Sequence, residues 1–271
     1  MRKLSREDLV LTTPAFPAAE DKDLAGEMAG RLGIAFHPRH KDTVNRIVRR
    51  CGAKAALVAG SNAVYLVHES REYSFHPGMA VHRAHALKIG KKDRLVEAAG
   101  LKPGDAFLDC TCGMGADAVV AAYAAGEEGC VGALEASPLL ASIVGFGLSR
   151  YTHNKLDLMR AMRRVDVLNR DYARVLPELE TDSWDVVYFD PMFPRRVSGA
   201  RSMDLVHLLA HSDLPGPEAV QEALRVARRC VVIKDRYPGR FLSSMDIPVF
   251  SAKQRICYGR LDARSPPGSS R

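Results

Sequence analysis

The sequence lacks any hydrophobic run long enough to cross a lipid bilayer. Its longest apolar stretches, such as residues 118–125, fall well short of the about 20 residues that a membrane-spanning helix needs. The N-terminal residues are mostly charged, and no apolar core of a signal peptide follows them. We therefore expect a cytoplasmic protein without a membrane partner.

Cysteine is scarce, and only Cys110 and Cys112 of the six cysteines lie close together. No second pair and no nearby histidine completes a zinc-binding pattern, so no metal site is predicted. Free, mostly buried thiols are expected, as is usual in a reducing compartment. The histidines form no Ser-His-Asp pattern. His76, His82 and His85 either border a cofactor pocket or have a structural role.

Acidic residues are too few to balance the basic ones. The chain has 39 Lys and Arg against 32 Asp and Glu, which gives a net charge of +7 and an isoelectric point of about 9.2. This balance permits a polyanionic partner such as RNA, although a solvated basic surface is the other interpretation. Hydrophobic residues make up 46% of the 271 residues, enough for one large domain or a domain with a smaller companion.

The pattern of predicted elements changes near residue 80. Residues 1–79 are typical of a small α/β unit, with a helix over 21–32 and another that begins after the N-cap Thr43. Residues 80–262 alternate strands and helices, and residues 263–271 read as a flexible tail. The strands of this second region are predicted at 106–110, 131–134, 165–168, 184–189, 231–234 and 256–261. The alternation predicts a doubly wound, largely parallel α/β sheet, with ligands at the carboxyl ends of its strands.

A glycine loop follows the first strand of that sheet. Gly113 and Gly115 let the backbone approach a ligand closely and turn into a helix. Glu135 ends the next strand, where an acid can accept both hydroxyls of a ribose. The loop also fits the dinucleotide pattern G-x-G-x-x-G/A. Asp109 and Asp117, however, place negative charge where a diphosphate would sit, which favours the cationic sulfonium of S-adenosyl-L-methionine (SAM) over NAD. A structural turn without a ligand is the third interpretation.

The third strand is followed by Asp171 and Tyr172. An acid at this strand end is placed to hold the amino group of an adenine. The same side chain is equally suited to cap a helix over residues 173–176. Both interpretations stay open on the sequence.

The fourth strand, residues 184–189, delivers the run Asp190-Pro191-Met192-Phe193-Pro194. Amino groups on nucleic-acid bases are poor nucleophiles because the ring delocalises their lone pairs. Hydrogen bonds to the carboxylate of Asp190 and the carbonyl of Pro191 favour a more tetrahedral nitrogen, and Phe193 can stack on the base. The alternative is a capped turn with a buried ring.

A basic segment follows this run. Arg195, Arg196 and Arg201 lie just after it, and Lys234 ends the next strand on the same rim. We predict that these four residues contact the phosphate backbone of a substrate. A mobile, solvated loop is the alternative for the arginines.

These motifs resemble a known family. The residues at 109–118, Glu135 and the block at 186–194, with its Asp-Pro-Met-Phe-Pro sequence, are similar to the SAM-dependent guanine-N2 methyltransferases of bacterial small-subunit ribosomal RNA. Residues 75–77 with Arg83 resemble the segment that precedes that family's catalytic domain. The similarity spans roughly residues 73–262.

The resemblance implies a Rossmann-like class I methyltransferase fold. The cofactor-binding residues predicted from the motifs and the resemblance together are Asp109, Thr111, Gly113, Gly115, Ala116, Asp117, Glu135, Ala136, Asp171, Tyr172 and Asp190. Ala116 and Ala136 stand where this family carries basic residues, and the loop after Pro194 also differs, so the chain is interpreted as a divergent branch.

We therefore expect a SAM-dependent methyltransferase that acts on an exocyclic amino group, most specifically guanine N2 in ribosomal RNA or the small ribosomal subunit. Methylation of DNA adenine or of a small molecule is the alternative within the same chemistry. A nicotinamide-dependent oxidoreductase and a non-catalytic RNA-binding protein are alternatives from other classes.

Overall fold

The structure, a computed structural model, describes residues 3–192, 201–210, 214–253 and 255–263. For residues 201–204 and 253 only the backbone is described. Two compact units emerge from the contacts between residues. The first comprises Met1–His76, Ser137–Thr152 and Val197–Ala210, and the second comprises Pro77–Ala136, His153–Arg196 and His211–Arg271. The domain boundary predicted between residues 79 and 80 stays a prediction.

Strands and helices are numbered separately along the chain. The strands are β1 (Leu9–Thr12), β2 (Ala55–Gly60), β3 (Ala63–His68), β4 (Arg71–Ser74), β5 (Ala106–Asp109), β6 (Cys130–Leu134), β7 (Val165–Leu168), β8 (Trp184–Phe189), β9 (Ala227–Arg236), β10 (Val249–Lys253) and β11 (Ile256–Asp262). The helices are α1 (Ala19–Leu32), α2 (Val44–Arg50), α3 (Met79–Lys88), α4 (Arg94–Ala99), α5 (Ala116–Ala125), α6 (Pro138–Arg150), α7 (Leu156–Arg163), α8 (Tyr172–Val175), α9 (Arg201–Leu209), α10 (Pro217–Val226) and α11 (Arg240–Ser244). Short 3-10 helices lie at Arg6–Asp8 and Leu176–Glu178.

The first unit is built on a four-stranded sheet in the order β1-β2-β3-β4, in which β1 and β2 are parallel and the other neighbours are antiparallel. The predicted N-cap Thr43 is confirmed, since its side chain accepts a hydrogen bond from the backbone N–H of Arg46. Helix α6 also belongs to this unit and lies against β3. Gly147 of α6 touches the ring of Phe75 so closely that a Cβ there would sit 2.2 Å from it.

The second unit carries a seven-stranded sheet in the order β10-β11-β9-β8-β5-β6-β7. The neighbours from β9 to β7 are all parallel, whereas β11 runs antiparallel to both β9 and β10. The predicted doubly wound α/β sheet is therefore confirmed. The chain passes from β5 to β6 on one side and returns to β8 on the other, so the order reverses between β5 and β8. In such sheets ligands bind at the carboxyl ends of the strands beside this reversal.

Strand β8 and helix α5 form the centre of the second unit because their side chains are apolar and buried. Residues 186–189 of β8 are fully buried, as expected for a strand with parallel neighbours on both edges. Helix α5 is apolar on nearly every face and buries seven of its ten residues. No helix within the described ranges is long and apolar enough to cross a membrane.

Candidate functional site

The ends of β5 and β8 meet at the reversal of strand order. Asp109 is the last residue of β5, and Asp190 follows β8 directly. Thr111 joins the two strand ends. Its hydroxyl accepts a hydrogen bond from the backbone N–H of Asp190 at 2.6 Å, and its own N–H donates to a carboxylate oxygen of Asp109 at 2.9 Å. Asp109 and Thr111 from the glycine-loop motif and Asp190 from the later motif thus lie together at one edge of the sheet.

The glycine loop turns from β5 into α5 at the same edge. Gly113 and Gly115 have φ angles of 54° and 74°, a left-handed conformation that glycine adopts without steric strain. Gly115 is the N-cap of α5. The N–H of Gly113 donates to the carboxylate of Glu135 at 3.0 Å, and Glu135 is 5% exposed. The loop therefore meets the acid that was predicted to hold a ribose.

The end of β7 brings further predicted residues to this edge. Asn169 donates hydrogen bonds from its amide to the backbone carbonyls of Glu135 and Ala136, at 2.8 and 3.3 Å. Asp171 caps α8, because its side chain accepts from the N–H of Ala173 at 2.9 Å. Capping was one of its two proposed roles, and contact with an adenine stays a prediction. The ring of Tyr172 meets that of Phe189 edge-on, with centroids 5.4 Å apart.

A chain of alternating charges runs beneath the edge; we call it the ion cluster, and it comprises Arg83, Asp93, Asp117, Asp190 and Lys234. Arg83 donates two hydrogen bonds to Asp93, at 2.7 and 2.9 Å, and also pairs with Asp117. Lys234 links Asp117 to Asp190, because its Nζ lies 2.9 Å from the first carboxylate and 2.6 Å from the second. These residues come from α3, the start of α4, α5 and the ends of β8 and β9.

Burial and partner charges set the ionisation of the ion cluster. Burial alone would raise the pKa of Asp117, but Lys234 and Arg83 outweigh it and hold this pKa far below its usual range. Burial opposes the charge on Lys234 and on Arg83, yet their carboxylate partners outweigh burial and raise the pKa of both basic groups. These three groups therefore remain charged at neutral pH.

The pKa values of Asp190 and Asp109 are raised, whereas that of Asp117 is lowered. Burial raises the pKa of Asp190, Lys234 opposes the rise, and the neighbouring Asp117 adds to it. Burial raises the pKa of Asp109 to about 8, and the nearby charges of Asp117 and Asp190 act in the same direction. The hydrogen bond from the N–H of Thr111 opposes this rise. At neutral pH, Asp109 is therefore mostly protonated.

The structure places the remaining predicted residues as follows. Pro191 is buried directly after Asp190, and Ala116 is the first residue of α5. Lys234 has a side chain that is 19% exposed and engaged in the ion cluster. Its predicted contact with substrate phosphate stays a prediction. Phe193, Arg195 and Arg196 lie outside the described residues, and Arg201 is described only as the backbone start of α9.

Sequence reasoning missed Tyr188 and left Arg83 without a role. The Tyr188 ring is fully buried, and its hydroxyl donates to Asp117 at 2.9 Å. A tyrosine within an apolar buried strand is itself a signal, because a buried hydroxyl needs a polar partner. Arg83 gave no comparable signal, since its helix carries other basic residues. Among the described residues, no group of three or more His, Cys, Asp or Glu is placed to hold a metal ion.

The residues at this edge fit SAM. Glu135 is a buried carboxylate at the end of the second parallel strand, where it can accept the two ribose hydroxyls. The surrounding acids Asp117 and Asp190 suit a cationic ligand better than a diphosphate. The antiparallel strand β11, inserted between β9 and β10, also departs from the strand order of dinucleotide-binding sheets.

Curated relatives match over most of the chain. The protein named "Uncharacterized protein YpiP" from Bacillus subtilis (strain 168) is 31% identical over 257 residues, which cover 95% of this chain and 100% of YpiP. "Ribosomal RNA small subunit methyltransferase J" from Thioalkalivibrio sulfidiphilus (strain HL-EbGR7) is 29% identical over 86% of this chain and 85% of its own length. The protein of that name from Nitrosococcus oceani is 34% identical over 61% of this chain and 66% of its own length.

A solved structure shows the same fold. The SAM-dependent methyltransferase NGO1261 from Neisseria gonorrhoeae superimposes with a TM-score of 0.63 over 97% of both chains, at 17% sequence identity. At this identity the likeness speaks for the fold alone. Residues 48–256 match the family described as "Putative SAM-dependent methyltransferase". Because this match covers most of the chain, the protein belongs to that family of SAM-dependent methyltransferases, and its cofactor is SAM.

Proposed function

We propose that this protein methylates an exocyclic amino group of a nucleic-acid base, specifically guanine N2 in the RNA of the small ribosomal subunit. The observation that carries the proposal is the position of Asp190. Its carboxylate lies at the end of β8, beside the glycine loop and next to the buried Pro191. The names of the relatives from Thioalkalivibrio and Nitrosococcus support ribosomal RNA as the substrate.

The chain's own residues account for the activation of the amino group. Hydrogen bonds from the amino group to the carboxylate of Asp190 and to the carbonyl of Pro191 draw its nitrogen towards a tetrahedral geometry, with the lone pair directed at the methyl group. Lys234 holds one oxygen of Asp190 at 2.6 Å. We assign the other oxygen of Asp190 to the amino group. Bound SAM supplies an electrophilic methyl group.

Phe193 completes the proposed site. It follows the buried Pro191 by two positions, and its ring is assigned to stack on the target base, a contact worth about 1–3 kcal/mol in other base-binding proteins. The remaining rate enhancement comes from holding nitrogen and methyl group in line, without a covalent enzyme intermediate.

Substitution of Asp190 tests this proposal. We expect Asp190→Ala to abolish methyl transfer to RNA while it leaves the affinity for S-adenosylhomocysteine, measured by calorimetry, within a few-fold of the wild-type value. The assay transfers labelled methyl groups from SAM to ribosomal RNA from cells that lack the enzyme, and mass spectrometry then identifies the methylated nucleoside. Asp166→Ala, an exposed carboxylate on the edge strand β7, is the matched control and should keep full activity.

The same assay separates the alternatives. Label in DNA adenine or in small molecules, with none in RNA, would overturn the choice of substrate. Full activity of Asp190→Ala would overturn the role of Asp190. RNA binding in the presence of SAM, with no turnover of any substrate, would indicate a non-catalytic RNA-binding protein.

A further inference from the structure

A tight turn at the end of β9 exposes an aromatic ring. We call residues 236–240 the Tyr237 turn. Tyr237 is 64% exposed, although a tyrosine ring is large and apolar and usually packs against other groups. The backbone N–H of Tyr237 donates to the carbonyl of Arg255 at 3.0 Å, which brings the start of β11 beside the turn. The ring is therefore presented to solvent from a position that the backbone fixes.

The buried carboxylate of Asp235 makes this turn rigid. Asp235 is 3% exposed and accepts hydrogen bonds from the backbone N–H groups of Arg236, Phe241 and Leu242, at 2.6, 2.9 and 3.2 Å. A further hydrogen bond closes the turn, from the N–H of Gly239 to the carbonyl of Arg236 at 2.6 Å. A preorganised aromatic ring binds a flat partner with little loss of conformational entropy.

The surroundings of the turn are basic. Residues 235–262 contain five Lys and Arg and three acidic residues, of which Asp235 is buried beneath the turn and Asp262 pairs with Arg260 at 2.6 Å. Arg240, on the turn itself, and Arg255, beside it, are both exposed. Exposed arginines on and beside a turn that carries an exposed ring can combine contacts to phosphate with a stacking surface, which is the usual composition of a site for single-stranded nucleic acid.

The turn lies on the same edge of the sheet as the proposed catalytic carboxylate. Lys234 contacts Asp190 directly, and Tyr237 is three residues beyond Lys234 on the same chain. Three residues span at most about 10 Å. The Cα of Tyr237 therefore lies within about 10 Å of the Cα of Lys234, whose side chain reaches Asp190, while each step of a stacked strand covers about 3.4 Å. A strand whose target base lies at Asp190 can therefore reach the Tyr237 ring with a nearby nucleotide.

We propose that the Tyr237 turn binds the single-stranded RNA that flanks the target nucleotide. The Tyr237 ring stacks on a flanking base, while Arg240 and Arg255 contact phosphates. The inference rests on the proposed function, since it takes RNA as the substrate and Asp190 as the position of the target base. It implies that the target nucleotide is presented in an unpaired segment, because a base within a duplex offers no free face for stacking.

The test compares variants of the full-length protein. Binding of a short, fluorescein-labelled single-stranded oligoribonucleotide is followed by fluorescence anisotropy in the presence of S-adenosylhomocysteine. We expect Tyr237→Ala to weaken binding by about tenfold or more, and Tyr237→Phe, which keeps the ring, to stay close to the wild type. The double variant Arg240→Ala/Arg255→Ala should reduce the slope of log affinity against log salt by about 1.4, since each phosphate contact on a single strand contributes about 0.7.

Arg160→Ala is the matched control for charge. Arg160 is 61% exposed on α7, which leads into the amino end of β7 and so into the opposite edge of the sheet. This variant should leave both the affinity and its salt dependence unchanged. Calorimetry with S-adenosylhomocysteine checks that every variant retains its cofactor site.

The outcomes distinguish the two proposals. If the wild type methylates RNA and Tyr237→Ala binds and methylates it equally well, the stacking role is wrong while the proposed function stands. Equal losses for Tyr237→Phe and Tyr237→Ala would also overturn stacking. If the wild type transfers no methyl group to RNA, the proposed function itself fails. Equal binding of a double-stranded RNA of the same sequence would contradict the preference for an unpaired segment.

Discussion

Lys234 favours the ionised form of Asp190, because its charge lowers a pKa that burial raises. Its ammonium group lies between the carboxylates of Asp117 and Asp190, and it is the only basic side chain of the ion cluster that contacts Asp190. Lys234→Met keeps the side chain up to the ε position and removes the charged ammonium group. Two neighbouring carboxylates would then share a poorly solvated site, which further raises the pKa of Asp190.

The expected result is a loss of methyl transfer that depends on pH. Because the proposed reaction needs ionised Asp190, each unit by which its pKa rises lowers the active fraction about tenfold at a pH below that pKa. Profiles of kcat/KM against pH should show the acidic limb of Lys234→Met displaced to higher pH, with partial recovery in alkaline buffer. Breaking a buried ion pair should also lower stability by about 3–5 kcal/mol.

Two further variants isolate this effect. Lys234→Arg retains the charge and should restore part of the activity and the wild-type position of the acidic limb. Lys88→Met removes an exposed lysine that pairs with Asp157 at 2.8 Å, and its pH profile should match the wild type. A Lys234→Met profile that is lower than the wild type but equal in shape would assign Lys234 a purely structural role.

Sequence reasoning found those site residues that follow apolar strands. Asp109, Glu135 and Asp190 each stand where a buried strand ends, and the topology then gathers such ends at one edge. The pairing of charges in the ion cluster escaped prediction, because its members are distant in the chain and Arg83 and Asp93 follow no local pattern. Arg83 and Lys234 are separated by about 150 residues, and only the folded sheet brings both to Asp117.

Replacing a glycine by alanine should change the stability of the protein in opposite directions at two helices of the first unit. In α6, a Cβ on Gly147 would overlap the Phe75 ring at 2.2 Å. In α1, a Cβ on Gly26 would meet no atom within 4 Å. We expect Gly147→Ala to destabilise the protein by about 1–3 kcal/mol through overpacking. Gly26→Ala should stabilise it by up to about 1 kcal/mol through helix propensity.

Chemical denaturation of the two single variants measures both effects. Because the substitution is the same, general effects of alanine cancel between the two sites, and the opposite signs report the local packing. A destabilisation of similar size at both positions would contradict the assigned contact between α6 and Phe75.

At the level of elements, six of the seven strands in the sheet of the second unit were predicted, and β10 was missed. Apolar runs such as residues 184–189 match β8, because a strand with parallel neighbours on both edges must be apolar on both faces. Strand β9 extends to Ala227–Arg236, beyond the predicted 231–234, since pairing with both β8 and β11 holds its polar ends in the sheet. Helices α3 and α7 were missed. The buried residues of α3 are two alanines, Ala80 and Ala84, which give little hydrophobic contrast.

At the scale of the whole molecule, the site concentrates negative charge in a chain with a net charge of +7. Asp109, Asp117 and Asp190 meet at one edge of the sheet and are balanced by Arg83 and Lys234. The excess of basic residues in the rest of the chain attracts the polyanionic substrate that we propose. Asp109, the third acid at this edge, stays protonated in the folded protein. The free energy of unfolding therefore depends on pH.

Asp109→Asn makes that link measurable. The pKa of Asp109 rises from its ordinary 3.8 to about 8 on folding, so between these values the folded chain holds a proton that the unfolded chain has released. The free energy of unfolding of the wild type therefore falls as pH rises through this window, by at most about 1.4 kcal/mol per pH unit.

Asparagine does not ionise, and its side-chain oxygen can still accept the N–H of Thr111. We expect urea denaturation without SAM to show the variant gaining stability over the wild type from about pH 5 to pH 8, and a constant difference above that. A difference between the two proteins that is independent of pH throughout this range would mean that Asp109 is already ionised in the folded state.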